Sequence, residues 1–228
     1  MRFSVVRRHF SAVSVIAALA GSSLFSATAV AAAPSVSNKP TPGPAVILVV
    51  GDSLSAEYGL RRGSGWVALL EQRLHAEKIA ARVVNASISG DTTSGGRSRL
   101  DALLLQHRPT HVVIELGAND AIRGLPLQMT RDNLTHMTQA AQQNGARVLL
   151  VGMQVPPNYG QDYARRFAEM FSEVAKGRQT ALVPFFLKGI ADSADSTKWF
   201  QPDRIHPKEE AHPLMLNNVW PELRKLLK

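Results

Sequence analysis

The sequence predicts an α/β fold over residues 45–228: a three-layer sandwich built on a mostly five-stranded parallel sheet. Three observations predict it. Short continuous apolar runs rich in β-branched residues recur along the chain, as strands buried on both faces require. Between these runs the apolar residues switch to helical spacing. The two patterns alternate, and strand–helix alternation implies right-handed crossovers that leave helices on both faces of a parallel sheet.

The elements follow in order. Ala45 to Val50 (AVILVV) is the first strand. Trp66, Leu69, Leu70 and Leu74 mark a helix. Arg82–Val84 is the second strand, and Leu100, Leu103 and Leu104 mark a short helix stopped near Pro109. His111 to Leu116 (HVVIEL) is the third strand. A polar-rich helix runs from about Pro126 to Gln143 and ends at Asn144-Gly145, a C-cap signal. Arg147 to Gly152 is the fourth strand, and Tyr163, Phe167, Met170, Phe171 and Val174 line the next helix. Ala181 to Val183 is a short fifth strand before Pro184, and a last helix spans about Pro207 to Leu227.

At 228 residues the chain is long enough for a sizeable core. Its 45% hydrophobic and 19% charged content excludes wholesale disorder. There is no cysteine, which excludes disulfides, thiolate metal sites, cysteine nucleophiles and a lipid-modified N-terminal cysteine. Any catalytic nucleophile is therefore an oxygen or nitrogen group. The net charge of +8 suggests nucleic acid, but residues 1–33 hold three arginines and no acid, so the remainder carries +5. No basic helix or stacking platform accompanies it, and no nucleic-acid partner is expected.

Those first residues have the layout of an export signal. Arg2, Arg7 and Arg8 form a positive start, Phe10 to Phe25 is mostly apolar and small, and Ala29-Val30-Ala31 is a cleavage site. Residues 1–31 are read as the signal peptide and 32–44 as a Pro-rich linker, since PSVSNKPTPGP cannot form helix or strand. The alternative, an uncleaved anchor, is disfavoured because the apolar stretch is broken by serines and a spanning helix needs roughly 20 apolar residues. Arg7-Arg8-His9-Phe10 resembles the twin-arginine motif, from which Val6 and Ser11 depart. The mature protein is expected to be periplasmic or secreted, without a membrane span, and monomeric.

In open parallel sheets ligands bind beyond the carboxyl ends of the strands. The first strand is followed by Gly51-Asp52-Ser53-Leu54-Ser55 and the second by Asn85-Ala86-Ser87-Ile88-Ser89-Gly90-Asp91-Thr92. Gly117-Ala118-Asn119-Asp120 follows the third, and Asp203-Arg204-Ile205-His206-Pro207 lies near the C-terminus. Each alone is a common turn. All four in this order, three of them at strand ends, are a strong signal. On these blocks, with Pro157-Asn158-Tyr159-Gly160, the chain resembles the GDSL/SGNH hydrolase family over the whole of 45–228. Within that family it is most similar to exported arylesterases and multifunctional acyl thioesterase/lysophospholipases. The resemblance implies a flavodoxin-like sandwich and an ester or thioester hydrolase acting on a small-molecule ester or lipid. Arg204 departs from the family, whose members often carry glycine between the aspartate and the histidine.

The residue types suit that chemistry. A serine hydroxyl needs an adjacent base to act as a nucleophile. His206 can take the Ser53 proton and return it to the leaving group. Asp203 can hold the imidazole tautomer and stabilise the imidazolium. Ser53 N–H, Gly90 N–H and the Asn119 amide are the expected oxyanion donors, each typically worth about 100- to 1,000-fold in rate. Position 55 is Ser, so this is not a Gly-x-Ser-x-Gly elbow.

Asp52, Asp91 and Asp120 sit beside turns, where aspartates satisfy backbone N–H groups, and no histidine pair has metal-ligand spacing, so no metal and no cofactor are expected. His212 is read as structural. The substrate pocket is assigned to two loops through Ala121, Leu125, Met153, Val155, Pro156 and Tyr159, with Gly124 free to let the first loop move. Short- to medium-chain acyl groups are expected there. A carbohydrate O-acetyl esterase would share the catalytic set. A non-catalytic envelope-binding module is disfavoured because no catalytic position is lost.

Overall fold

The computed structural model describes residues 43–228. The signal peptide and nearly all of the linker lie outside the described residues. Five strands, β1 (Ala45–Gly51), β2 (Ala81–Asn85), β3 (His111–Glu115), β4 (Arg147–Val151) and β5 (Ala181–Val183), form one parallel sheet in the order β2-β1-β3-β4-β5. The chain leaves β1 toward β2 and returns across it to β3, so the direction of winding reverses between β1 and β3. That reversal opens a crevice at their carboxyl ends. Ile47 to Val50, Val112 to Ile114 and Leu149 to Leu150 are buried, which accounts for their unbroken apolar runs.

Helices α1 (Trp66–Ala76) and α6 (His212–Leu226) pack on each other over one part of the sheet, α1 against β2 and α6 against β4 and β5. Helices α2 (Thr93–His107), α4 (Leu127–Gln143) and α5 (Gln161–Arg178) pack side by side and reach β1, β3, β4 and β5. The three-layer sandwich is as expected. No helix among the described residues is long and apolar enough to cross a membrane.

Three local readings change. Helix α2 is not short: it has 15 residues and starts where Thr92 Oγ1 accepts the Gly95 N–H at 3.3 Å. Its first turn contains Gly95-Gly96, residues that local propensity disfavours in helices. A Cβ at Gly96 would lie 2.3 Å from Leu116 Cδ1, so close packing of the helix on the sheet is what glycine permits. A five-residue helix, α3 (Ala118–Ile122), follows β3 and is too short to show periodicity. Helix α6 starts at His212 and not at Pro207, because Pro207 is held in a bridge with Phe200 and Glu209–Ala211 forms a 3-10 turn.

His212 has the structural role expected of it, in specific form. Helix α1 begins after Gly65, which offers no capping side chain. Instead the buried His212 accepts the Trp66 N–H at Nδ1, 3.0 Å away. Burial pushes the His212 pKa down to about 4, so the ring stays neutral and remains an acceptor.

Candidate active site

The nucleophile segment is the turn that leaves β1. Asp52 Oδ1 accepts the Leu54 N–H at 3.0 Å, and Asp52 O accepts the Ala56 N–H at 2.9 Å. Between these contacts Ser53 is held half-exposed at the sheet edge. Its Oγ is 2.9 Å from His206 Nε2, and His206 Nδ1 is 2.7 Å from Asp203 Oδ2. Ser53 and His206 are 153 residues apart in sequence, and the structure brings them into hydrogen-bond contact.

Asp203 and His206 come from one closed loop after β5. Phe200 and Pro207 form an antiparallel bridge, Gln201 N–H donates to His206 O at 2.8 Å, and Arg204 N–H donates to Gln201 O at 2.9 Å. The turn puts Arg204 at φ +59°, a left-handed conformation that favours glycine. A non-glycine residue at this turn therefore carries backbone strain. Partial desolvation of Asp203 raises its pKa, but the N–H groups of His206 and Ile205, at 3.0 and 2.9 Å, and the His206 ring outweigh it. Together they hold Asp203 down to about 2, so it is ionised at neutral pH.

Two further residues support this loop, and neither was foreseen from sequence. Gln201 Nε2 donates to Tyr58 O at 3.0 Å and to Pro207 O at 3.1 Å, tying the loop to the nucleophile side. The Tyr58 ring lies against His206, with centroids 4.3 Å apart.

Across the nucleophile, Gly90 sits at φ +79° and its carbonyl accepts from Arg123 Nη2 at 2.6 Å. Among the described residues, neither the Ser53 nor the Gly90 N–H is used in a hydrogen bond within the chain. Asn119, on α3, places Nδ2 2.9 Å from Asp91 O and 3.1 Å from Asp52 Oδ2. Two unengaged N–H groups are donors of the kind that a tetrahedral oxyanion needs, whereas both N–H groups of the Asn119 amide are engaged here, so a third acceptor would share one of them.

The three turn aspartates go to different places. Asp120 is buried and accepts from Thr93 N–H at 2.9 Å, from Thr130 Oγ1 at 3.1 Å and from Thr93 Oγ1, fastening α2, α3 and α4. Asp91 pairs with Arg99 at 2.8 Å. Asp52 lies beneath the nucleophile, beside the buried Glu115. Among the described residues no group of three or more His, Asp or Glu is placed to hold a metal ion.

A cavity of about 360 Å³ opens at Ser53 and His206. Met153, Val155, Pro156 and Tyr159 line it. Ala121 and Leu125 do not: Ala121 is buried in the core, and α3 turns Ala118 and Ile122, one helical turn apart, toward the cavity instead. Leu187, Ala191, Phe200, Arg204 and Ile205 complete the wall, contributed by the segments after β5.

Residues 49–214 match the GDSL-like Lipase/Acylhydrolase family. The chain is 51% identical over 181 residues to esterase TesA of Pseudomonas aeruginosa, covering 79% of this chain and 89% of the relative. It is 41% identical to an arylesterase of Vibrio mimicus, with 79% and 89% covered. It is 38% identical to thioesterase 1/protease 1/lysophospholipase L1 of Escherichia coli K12, with 79% and 84% covered. The crystal structure of TesA superposes with a TM-score of 0.76 at 51% identity, covering 79% of this chain and 99% of that one. The psychrotrophic esterase EstA of a Pseudoalteromonas species, inhibited by monoethylphosphonate, gives 0.75 at 41% identity, covering 80% and 98%. With its nucleophile turn, its sheet order and these similarities over most of its length, the chain belongs to the GDSL-like lipase/acylhydrolase family.

Proposed function

We propose that this acyl hydrolase cleaves carboxylic esters and thioesters of short- to medium-chain acyl or aryl groups, through an acyl-enzyme on Ser53. The observation that carries the reading is the unbroken series Ser53–His206–Asp203, at 2.9 and 2.7 Å. His206 takes the Ser53 proton as Oγ attacks the carbonyl carbon, then gives it to the departing alcohol or thiol. Asp203, kept ionised, fixes the imidazole with its proton on Nδ1 and stabilises the imidazolium. Ser53 N–H, Gly90 N–H and Asn119 Nδ2 receive the oxyanion. Water, activated by His206 in turn, releases the acid.

The cavity supports the substrate class. At about 360 Å³ it lies at the small end of ligand pockets, and Met153, Val155, Pro156, Tyr159, Leu187 and Phe200 give it an apolar wall. The names of the relatives, esterase, arylesterase and thioesterase/lysophospholipase, point the same way. The protein acts as a monomer, without cofactor or nucleic acid. The basic start, apolar stretch and Ala29-Val30-Ala31 site of residues 1–31 support action after export, in the periplasm or outside the cell.

The test uses protein beginning at Ala32, p-nitrophenyl acetate, butyrate, octanoate and palmitate, and Ser53→Ala and His206→Ala in parallel, with chelator present. Hydrolysis of the shorter esters that survives chelator and is lost in both variants, each with native circular dichroism, is expected. Substantial turnover in either variant would place the chemistry elsewhere. Palmitate cleaved as fast as butyrate would overturn the chain-length assignment.

A further inference from the structure

Two carboxyl groups are buried against each other directly beneath the nucleophile. The register of β1 with β3 sets Gly51 beside Glu115, so the Asp52 and Glu115 side chains meet at the sheet edge. Asp52 is 1% exposed and Glu115 2%. Two buried carboxyl groups this close do not both ionise, so one of them carries a proton. Glu115 Oε2 accepts from Ser55 Oγ at 2.7 Å and lies 3.4 Å from Asp52 N, as a carbonyl-like oxygen would. Ser55 Oγ in turn accepts from Trp66 Nε1 at 3.1 Å.

Burial and the adjacent Asp52 charge push Glu115 well above the usual carboxylate range. Burial raises Asp52 less, to about 6, because the Leu54 N–H, His206 and Glu115 favour its ionised form, while Asp91 opposes it. The charged and titratable groups facing the pair are therefore His206 from the loop before α6 and Asp91 from the β2–α2 loop, the latter paired with Arg99. At neutral pH Glu115 is the acid and Asp52 the carboxylate.

The two Asp52 oxygens serve different parts of the site. Oδ1 accepts the Leu54 N–H at 3.0 Å and sets the turn that presents Ser53 and its N–H. Oδ2 lies 3.1 Å from Asn119 Nδ2. Asn119 Nδ2 also donates to Asp91 O at 2.9 Å; the carboxylate and the carbonyl only accept, so the two together hold the NH₂ end of Asn119, not its carbonyl, on this side. An amide torsion of this kind is broad and nearly two-fold, so its orientation needs a partner.

We propose that Asp52 is a positioning residue that sets both Ser53 N–H and the Asn119 amide for the oxyanion, with Glu115 as the neutral acid that completes its hydrogen bonding. This rests on Asn119 being an oxyanion donor. Preorganised donors cost no rearrangement as charge develops, so the effect falls on kcat and not on KM.

The test measures kcat and KM on p-nitrophenyl butyrate for the mature protein, Asp52→Asn, Asp52→Ser, Asn119→Ala, Asp52→Asn/Asn119→Ala and Glu115→Gln. Asp52→Asn sets a second amide NH₂ against Asn119 or against Leu54 N–H. Asp52→Ser keeps an acceptor for the turn and does not reach Asn119, and it replaces Asp52→Asn should that variant not fold. Either is expected to lower kcat about 10- to 100-fold with KM changed less than about 3-fold, short of the full loss of a donor. In the Asn119→Ala background the same change is expected to cost less than about 3-fold more, because the two act as one unit. Glu115→Gln retains a neutral donor and is expected to keep kcat within about 2-fold. At pH 7 the infrared carbonyl band of a protonated carboxyl group is expected in the mature protein and absent from Glu115→Gln. Unchanged kcat in both Asp52 variants, a fully multiplicative double variant, a Glu115→Gln loss as deep as that of Asp52→Asn, or no such band would overturn the proposal. Unchanged kcat in Asn119→Ala would instead overturn the oxyanion assignment itself.

Discussion

Protonating His212 turns its Nδ1 from an acceptor of the Trp66 N–H into a donor facing a donor. The folded ring is therefore kept neutral, with a pKa of about 4 against about 6.5 in the unfolded chain. The folded state binds the proton more weakly, so stability from this group is fully present above pH 6.5 and is lost as pH falls toward 4. The gap between the two values corresponds to roughly 3 kcal/mol, nearly all of it gone by pH 4. His212→Gln keeps a neutral side chain and removes the titration. Urea unfolding of both proteins at pH 7, 6, 5 and 4 gives the difference in stability at each pH. The variant is expected to be about 1–2 kcal/mol less stable at pH 7, as for a weakened cap, and to gain roughly 3 kcal/mol on the wild type by pH 4. Asp52 and Glu115, raised in the folded state, favour it as pH falls, and Asp203 opposes it only toward pH 2, but all three are common to both proteins and cancel. A difference in stability that does not change with pH would refute the neutral-cap argument.

Asp203→Asn is expected to lower kcat by about 10,000-fold at pH 7 while circular dichroism stays native, because the imidazole loses the partner that sets its tautomer. Since Asp203 is held to about 2, the wild-type pH profile is expected to show no Asp203 limb between pH 4 and 9. Arg204→Gly relieves φ +59° and is expected to stabilise the fold by about 0.5–1 kcal/mol, read as a rise in Tm; a lower Tm would count against strain at that turn. Gly152→Ala places a Cβ 2.5 Å from Pro184 O, backbone that a rotamer change does not move, and is expected to cost about 1–3 kcal/mol in urea unfolding.

The sequence was most legible where chemistry and topology coincide. Ser53 and Asn119 each follow a strand with a continuous apolar run, Gly90 follows the shorter Val83-Val84 of β2, and parallel winding brings those strand ends to one side. The pocket was half legible. Val155 lies on a segment read as a loop and found as one, and Tyr159 ends a short 3-10 turn, whereas Ala121 faces the core on a helix, α3, that is too short to show its period. Helix α2 was shortened by Gly95-Gly96, whose value is the close approach to Leu116 and not local propensity. The His212 cap on Trp66 and the Asp52–Glu115 pair join residues 146 and 63 positions apart, and no local pattern announces either. The Arg204 departure was visible in the sequence, but its backbone strain was not.

Asp203 and His206 share one loop, pinned at its base by the Phe200–Pro207 bridge, whereas Ser53 sits on the turn that leaves β1. The proton relay thus has one internal joint and one external joint. A displacement of the loop leaves the carboxylate–imidazole contact intact and changes only the 2.9 Å gap to the hydroxyl. Activity then reports the seating of a single surface loop, held by Gln201 and Tyr58, more sensitively than the state of the core. In rising denaturant such an enzyme falls silent while its sheet is still assembled, and it recovers as soon as the loop docks again.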